Sequence, residues 1–426
     1  MILSEYSKEQ LTKFRDEAAA QLAAYKEKGI KLDLTRGKPE KGQLDLTADM
    51  MDALTSSSDF KCESGMDCRN YGILDGIPEA KRLFSELLGL PESMILVCGN
   101  SSLNLMFDTV ARCMLFGVAG GAKPWGQQGE IKFLCPSPGY DRHFAVTETF
   151  GIQLIPVTMR ADGPDMDEVR ALAEKDPSVK GMWCVPKFSN PDGITYSDAV
   201  VEALASMKPA ADDFRIFWDN AYAVHELYDE DVPLLDIFET AKKYGNEDRI
   251  FYFASTSKIS FPGAGVAIMA ASEKNLAQIR PILGKQTIGF DKINQLRHVR
   301  YFKDAAGVRA MMRRHADILR PKFEAVDEIL TRELGGLGIA EWTKPKGGYF
   351  ISLNVQEGCA KRVYDTAKEV GVALTAAGAT FPYGKDPLDK NLRLAPSFPP
   401  MADLIAATEI LCACVRYVAA EKLLAE

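Results

Sequence analysis

The stretch IFYFASTSKISFPGAGVAIMAAS, residues 250–272, holds a single charged side chain, Lys258, between two apolar runs of strand character. Those runs are Arg249–Ala254 and Val266–Ala270. Similar runs occur upstream at Met94–Cys98, Ile131–Cys135, Gln153–Val157, Lys180–Val185 and Arg215–Trp218. Between most of them lie amphipathic stretches with helical spacing, such as Leu103–Phe116 and Met166–Glu174. Short apolar strands alternating with helices predict an α/β fold with a largely parallel sheet covered on both faces. In such sheets ligands bind beyond the carboxyl ends of the strands. The residues that follow each run are therefore the candidates for function.

Outward from this core the pattern changes. Towards the N-terminus Leu11, Phe14, Ala18, Leu22 and Tyr25 recur at three- and four-residue steps. Ser7 with Gln10 fits a capping box at the start of that helix, and Gly29 ends it. An extended segment follows through Asp33-Leu34-Thr35-Arg36-Gly37-Lys38-Pro39. Beyond residue 300 a charged, helix-rich region, Tyr301–Arg332, leads to short strand-like pieces at Gly348–Leu353, Val372–Thr375 and Leu392–Ala395. An apolar helix from about Asp403 to Leu423 closes the chain. This part reads as a smaller α+β domain.

The bulk numbers narrow the class. At 426 residues the chain exceeds the ~100–200 residues of one ordinary domain. Lys and Arg number 51 against 59 Asp and Glu, a formal net charge of −8, which argues against a dominant nucleic-acid-binding surface. No apolar run approaches the roughly 20 residues that span a bilayer, and the first residues lack the apolar stretch of a signal peptide. A cytoplasmic location is expected. The nine cysteines contain no CxxC pair and read as reduced thiols. The four histidines, His143, His225, His298 and His315, are dispersed, so no metal site is expected.

Five strand-end features carry chemistry. Lys258 is either a desolvated, nucleophilic lysine or one whose stem snorkels to water. Asp219 closes FRIFWD (214–219) and is either a buried partner for a cation or donor, or a turn aspartate; Tyr222 lies three residues on. Ser101 and Ser102 follow Gly99-Asn100 at a predicted helix start, which suits a phosphate, or simple N-capping by Ser102. Tyr140 in CPSPGY (135–140) could stack on a planar ligand or only pack in its loop. Ser189-Asn190-Pro191-Asp192-Gly193 is a good turn. Together they supply an anion cradle, a stacking ring, an amide, a carboxylate, a phenol and an amine. That is the inventory for a phosphorylated pyridine aldehyde.

On these residues the chain resembles the fold-type-I pyridoxal 5′-phosphate (PLP) enzymes, class I aminotransferases in particular. It looks most like a bacterial subgroup of aspartate aminotransferases. The strings that carry the resemblance include LTRGKP, YGILDGIPEAKRLF, GNSSLNLM, PGYDRH, SNPDG, WDNAYAVH, STSKISFPGAG, PKGGYFISL and LRLAPSFP. The resemblance implies a large PLP-binding domain with a mostly parallel mixed sheet, residues 46–300. Residues 1–45 would form a helix and arm packing with a small C-terminal domain, residues 301–426.

Carried over by motif, Lys258 would hold PLP as a Schiff base and shuttle the proton between the substrate Cα and C4′. Asp219 would keep the pyridine nitrogen protonated, with His143 hydrogen-bonded behind it. Tyr140 would stack on the ring, and Asn190 and Tyr222 would bond its phenolic oxygen. Ser101, Ser102 and Ser255 would hold the phosphate. Tyr71 matches the tyrosine that reaches the phosphate from a neighbouring subunit, which implies a homodimer with shared active sites. Arg393 matches the clamp on the substrate α-carboxylate, and Gly37 the mobile loop beside it. One position departs from the pattern: Val266 stands where relatives commonly place a phosphate-binding arginine.

The expected reaction is transfer of an amino group from aspartate to 2-oxoglutarate, in a ping-pong cycle through pyridoxamine phosphate. The distal carboxylate of such substrates needs a cation; Arg36 is favoured over Arg142, Arg297 and Arg300. The alternatives are another reaction on the same fold (a β-lyase, a decarboxylase or an aminotransferase of different side-chain preference) and a PLP-sensing regulatory domain.

Overall fold

The structure, a computed structural model, describes residues 2–426. Eight strands form one mixed sheet: β2 (Ile95–Val97), β3 (Lys132–Ser137), β4 (Gln153–Arg160), β5 (Gly163–Pro164), β6 (Val179–Cys184), β7 (Arg215–Asp219), β8 (Ile250–Ser255) and β9 (Ala267–Ala271). Their spatial order is β2-β9-β8-β7-β6-β3-β4-β5. The central pairs β8-β7-β6-β3-β4 are parallel, and β9, β2 and β5 attach antiparallel. Every expected strand of this region is present, with its ends shifted by at most three residues.

The central strands are buried on both faces, as a doubly covered parallel sheet requires. Side chains alternate between two apolar clusters with period two. Ile216, Trp218, Tyr252 and Ala254 enter one cluster, and Phe217, Phe251 and Phe253 enter the other. Asp219 therefore leaves β7 on the same side as Phe217.

A third apolar cluster joins the two ends of the chain. The helix Lys8–Glu27 opens with the expected capping box: Ser7 N–H donates to Gln10 Oε1 at 2.7 Å, and Gln10 N–H to Ser7 Oγ at 3.2 Å. Gly29, at φ 59°, ends it. Its buried residues Leu11 and Leu22 pack in the same cluster as Ile410, Leu411 and Val415 of the last helix, Met401–Ala425. The arm then adds β1 (Leu32–Asp33) in parallel to β12 (Val372–Ala373). A separate antiparallel sheet has the order β10 (Ala340–Trp342), β11 (Ile351–Val355), β13 (Asn391–Leu394). β10 is a strand that the sequence pattern did not suggest.

The 30-residue helix Ala305–Leu334 connects the two parts. Its first turns bury Val308, Met311 and Met312 against the large-sheet cluster, and its later turns bury Leu319, Phe323 and Val326 in the third cluster. Among the described residues no helix is long and apolar enough to cross a membrane. All nine cysteines are buried free thiols.

Candidate active site

A cavity of about 390 Å³ opens where the carboxyl ends of the parallel strands meet the C-terminal part of the chain. Ser101, Ser102, Tyr140, Asn190, Asp219, Tyr222, Ser255 and Lys258 line it from the sheet side; Gly37 and Arg393 line it from the other. Residues separated by up to 356 positions (393 − 37) thus share one chamber.

Lys258 lies in the turn after β8. Its Nζ stands 5.0 Å from the Tyr222 ring centroid and 5.8 Å from that of Tyr349. Among the described residues it has no salt-bridge partner. Burial pushes its pKa below the ordinary lysine value, and the charge of Asp219 opposes that shift. A lowered pKa raises the share of free amine, the form able to attack a carbonyl or take a proton.

Asp219 is 3% exposed. Its Oδ2 lies 2.9 Å from His143 Nε2, and its Oδ1 is buried with no hydrogen-bond partner among the described residues. His143 is held flat on Trp183, with ring centroids 4.4 Å apart and planes 10° apart. Tyr140 meets the His143 ring edge-on at 4.9 Å. Burial, with the Asp219 charge second, raises the Tyr140 phenol to about 12. The Tyr222 phenol is also pushed up by burial, so both rings stay neutral donors at physiological pH.

The serines sit where strand gives way to helix. Ser101 is the N-cap of the helix Ser102–Phe116, yet its side chain caps nothing. Sequence favoured simple capping by Ser102; in the fold both serines line the cavity and Ser101 holds the N-cap place. Ser255 Oγ donates to Ser257 Oγ at 3.0 Å, and Ser257 also lines the cavity. Val266 is 2% exposed in the core, and the cations lining the cavity are Lys258, Arg142 and Arg393.

Arg393 projects from β13 and is 8% exposed. Its Nη1 donates to Asp141 Oδ1 at 2.9 Å and Asn190 Oδ1 at 3.3 Å, and its Nη2 donates to Thr375 Oγ1 at 3.3 Å. The guanidinium lies over the Phe350 ring at 5.0 Å. Asp141, Thr375 and Phe350 had no place among the expected site residues. Asp141 was legible only as a letter of PGYDRH, between Tyr140 and His143.

Gly37 explains itself by contact. A Cβ built there would meet Phe350 Cζ at 2.1 Å and Cε1 at 2.4 Å. Since Phe350 is the floor under Arg393, Gly37→Ala is expected to displace both. The KM for amino acids should rise about tenfold, the scale of one misplaced charge-assisted hydrogen bond. Steady-state kinetics on the variant would check it; an unchanged KM would remove the steric reading.

Two expected site residues lie elsewhere. Arg36 does not line the cavity: its side chain is 64% exposed, with Nε 4.0 Å from Asp33 Oδ2. Arg297 donates to Asn294 Oδ1 and Arg300 to the Lys61 carbonyl, so of the four candidates Arg142 alone lines the chamber. Tyr71 is 77% exposed and does not line the cavity.

The family model for aspartate amino-transferase matches residues 6–426. The chain belongs to the aspartate aminotransferase family. An aspartate aminotransferase of Corynebacterium glutamicum is 48% identical over 419 residues, covering 98% of this chain and 96% of its own. The crystal structure of an aspartate transaminase from the same organism superimposes with a TM-score of 0.97 at 47% identity, covering 99% of each chain. The α-aminoadipate aminotransferase of Thermus thermophilus, complexed with N-(5′-phosphopyridoxyl)-L-leucine, shares the fold at a TM-score of 0.71 and 20% identity, covering 96% of this chain and 95% of its own.

Aminotransferases of this family work with PLP. The cavity residues suit that group. The orphaned, buried Asp219 Oδ1 awaits an N–H donor such as a pyridinium. The uncommitted Ser101 hydroxyl and the helix N-terminus behind it suit a phosphate. The unpaired Lys258 amine suits an aldehyde.

Proposed function

We propose that this aminotransferase takes the amino group of aspartate and passes it to 2-oxoglutarate, in two half-reactions that share one cavity. The observation that carries the reading is the pairing, in a single chamber, of an unpaired Lys258 amine, an orphaned Asp219 oxygen and the buried guanidinium of Arg393. When bound, PLP supplies an aldehyde for the substrate amine and a ring that takes up the electrons released at Cα.

The chain does the rest. Asp219, backed by His143, would hold a proton on the ring nitrogen. Tyr140 would pack against the ring. Tyr222 and the amide nitrogen of Asn190, whose Oδ1 is turned to Arg393, would donate to the ring oxygen. Ser101, Ser102 and Ser255 would hold the phosphate with the helix N-terminus, joined by Ser257. Lys258 takes the proton from the substrate Cα. Arg393 orients the α-carboxylate, so that the Cα–H bond faces Lys258. Gly37 lets the arm close over Phe350.

The distal carboxylate falls to Arg142, the cavity-lining arginine beside Asp141. The exposed Tyr71 supports a homodimer, in which it serves the cavity of the second copy. We read residues 1–45 as an arm packed with a small domain, 301–426, against the large domain, 46–300. A cytoplasmic enzyme fits the buried free thiols.

The test is spectral. Aspartate alone should shift the visible absorbance of the holoenzyme, and 2-oxoglutarate should reverse it. Arg142→Ala should raise the aspartate KM about tenfold or more and leave that for alanine nearly unchanged. Release of pyruvate with ammonia, or of carbon dioxide, instead of oxaloacetate would overturn the reading. Equal losses for aspartate and alanine would remove Arg142 from the distal carboxylate.

A further inference from the structure

Arg393, the cation proposed to take the substrate α-carboxylate, already carries one. Asp141 Oδ1 sits 2.9 Å from its Nη1. The remaining contacts of the guanidinium are neutral: Asn190 Oδ1 on the same nitrogen, Thr375 Oγ1 on Nη2 and the Phe350 ring at 5.0 Å. Two carboxylates cannot both claim Nη1 at hydrogen-bond distance without strong mutual repulsion.

Which partner yields follows from how each is held. The Arg393 side chain is 8% exposed and fixed on several sides, whereas that of Asp141 is 34% exposed. Among the described residues, the Asp141 carboxylate has no hydrogen-bond partner other than Arg393. Asp141 also opens the helix Asp141–Thr149, where the dipole favours its charge with or without the arginine. It can turn to water at little cost; the guanidinium cannot move without disturbing its packing.

We infer that Asp141 is a positioning residue that stands in for the substrate α-carboxylate on Arg393 and is exchanged for it on each binding event. The inference rests on the aminotransferase reading, with Arg393 as the α-carboxylate clamp. Between turnovers Asp141 neutralises a buried guanidinium, which would otherwise be an uncompensated charge. It keeps the fork oriented across the cavity, from the helix after Tyr140 to β13. The exchange replaces one ionic hydrogen bond with another, so part of the attraction for substrate is cancelled. Asp141 thereby sets a weaker affinity, and a faster release of keto acid, than an unpaired arginine would give.

Asp141→Asn keeps the shape and an acceptor but removes the competing charge. In the holoenzyme, the KM for aspartate should fall about fivefold, the difference between a charged and a neutral acceptor, and kcat should not rise, since keto-acid release is slowed. The decisive comparison is alanine. Both amino acids present the same α-carboxylate, so local exchange predicts an equal factor for each. A diffuse change in cavity charge would act more on aspartate, which carries net −1, than on neutral alanine. Asp141→Glu, with its charge restored, should return KM towards the wild type. If Asp141→Asn does not fold, Asp141→Ser is measured the same way. An unchanged or raised KM, or a fall confined to aspartate, overturns the inference. A wild-type holoenzyme that shows no half-reaction with any amino acid overturns the aminotransferase reading instead.

Discussion

Lys258→Ala is expected to abolish turnover, with a loss on the order of 10⁴-fold or more. In the proposed mechanism both proton transfer at Cα and covalent tethering depend on that one amine. The structure makes the requirement specific: among the described residues Lys258 has no salt-bridge partner, and burial holds its pKa down, so the free amine is available. Lys258→Arg should fail as completely, because a guanidinium stays charged in proteins and cannot attack or accept a proton. Neither variant should lose its fold, since the ammonium makes no ion pair that the structure would miss. Rapid-mixing kinetics with aspartate and thermal melts of both variants check the two halves of this expectation. Turnover retained by the alanine variant would sink the mechanism.

Acid should unfold the protein through the histidines that seat the Lys258 turn. His298 is 2% exposed, with Nε2 2.8 Å from Ser260 Oγ and Nδ1 2.8 Å from the Asn294 carbonyl. His315 is 1% exposed, with Nε2 3.1 Å from the Ile259 carbonyl and Nδ1 3.0 Å from Gln43 Nε2. The His315 contacts suit the neutral ring that donates from Nε2 and accepts at Nδ1; a second proton would point N–H at N–H. Burial, aided by Arg297 for His298 and Arg314 for His315, lowers both to about 4 from the usual 6.5. His225, enclosed beside Tyr222 with neither ring nitrogen hydrogen-bonded among the described residues, is pushed well below the usual value by burial and by Lys258.

The sign follows from proton counting. Below pH 6.5 the unfolded chain binds protons that the native rings refuse, so stability is full above about 6.5 and falls as pH drops towards 4. Each of His298 and His315 then accounts for roughly 3 kcal/mol, the 1.36 kcal/mol per pH unit taken over that window. Urea melts at pH 7.5 and pH 4.5 should differ by several kcal/mol. The difference should shrink in a His298→Gln, His315→Gln double variant. The same pH dependence in both proteins would rule the histidines out.

Much of the site was legible because its residues follow strands. The apolar runs fixed where β7 and β8 end, and a carboxylate or an amine at such an end in a parallel sheet has one place to go. Asp219 and Lys258 share a cavity for that reason, as do Ser101, Tyr140 and Asn190. His143 was placed by motif, and its contact with Asp219 follows from a helix, Asp141–Thr149, that begins four residues after β3 ends. Arg36 was favoured because it neighbours Gly37 in sequence, yet it lies outside the cavity. In the extended arm successive side chains point to opposite sides, so the glycine that lines the cavity turns its neighbour to solvent. Arg142 reaches the cavity from the first turn of a helix whose direction no local pattern gives.

By itself the sequence determined most of the order of strands and helices, the strand ends at which the cavity opens and the identity of the residues there. Apolar period, turn residues and motif strings are local properties, and they survive without knowledge of the partner surface. Only the tertiary structure decided which arginine faces the chamber and that Asp141 occupies Arg393. It also decided that Gly37 must yield space to Phe350 and that three histidines rest near the lysine turn. These contacts join residues from about 30 to more than 300 positions apart. Their geometry is set by how the arm and the C-terminal elements pack on the sheet, and side-chain direction at a packed surface is not encoded in the spacing of either partner.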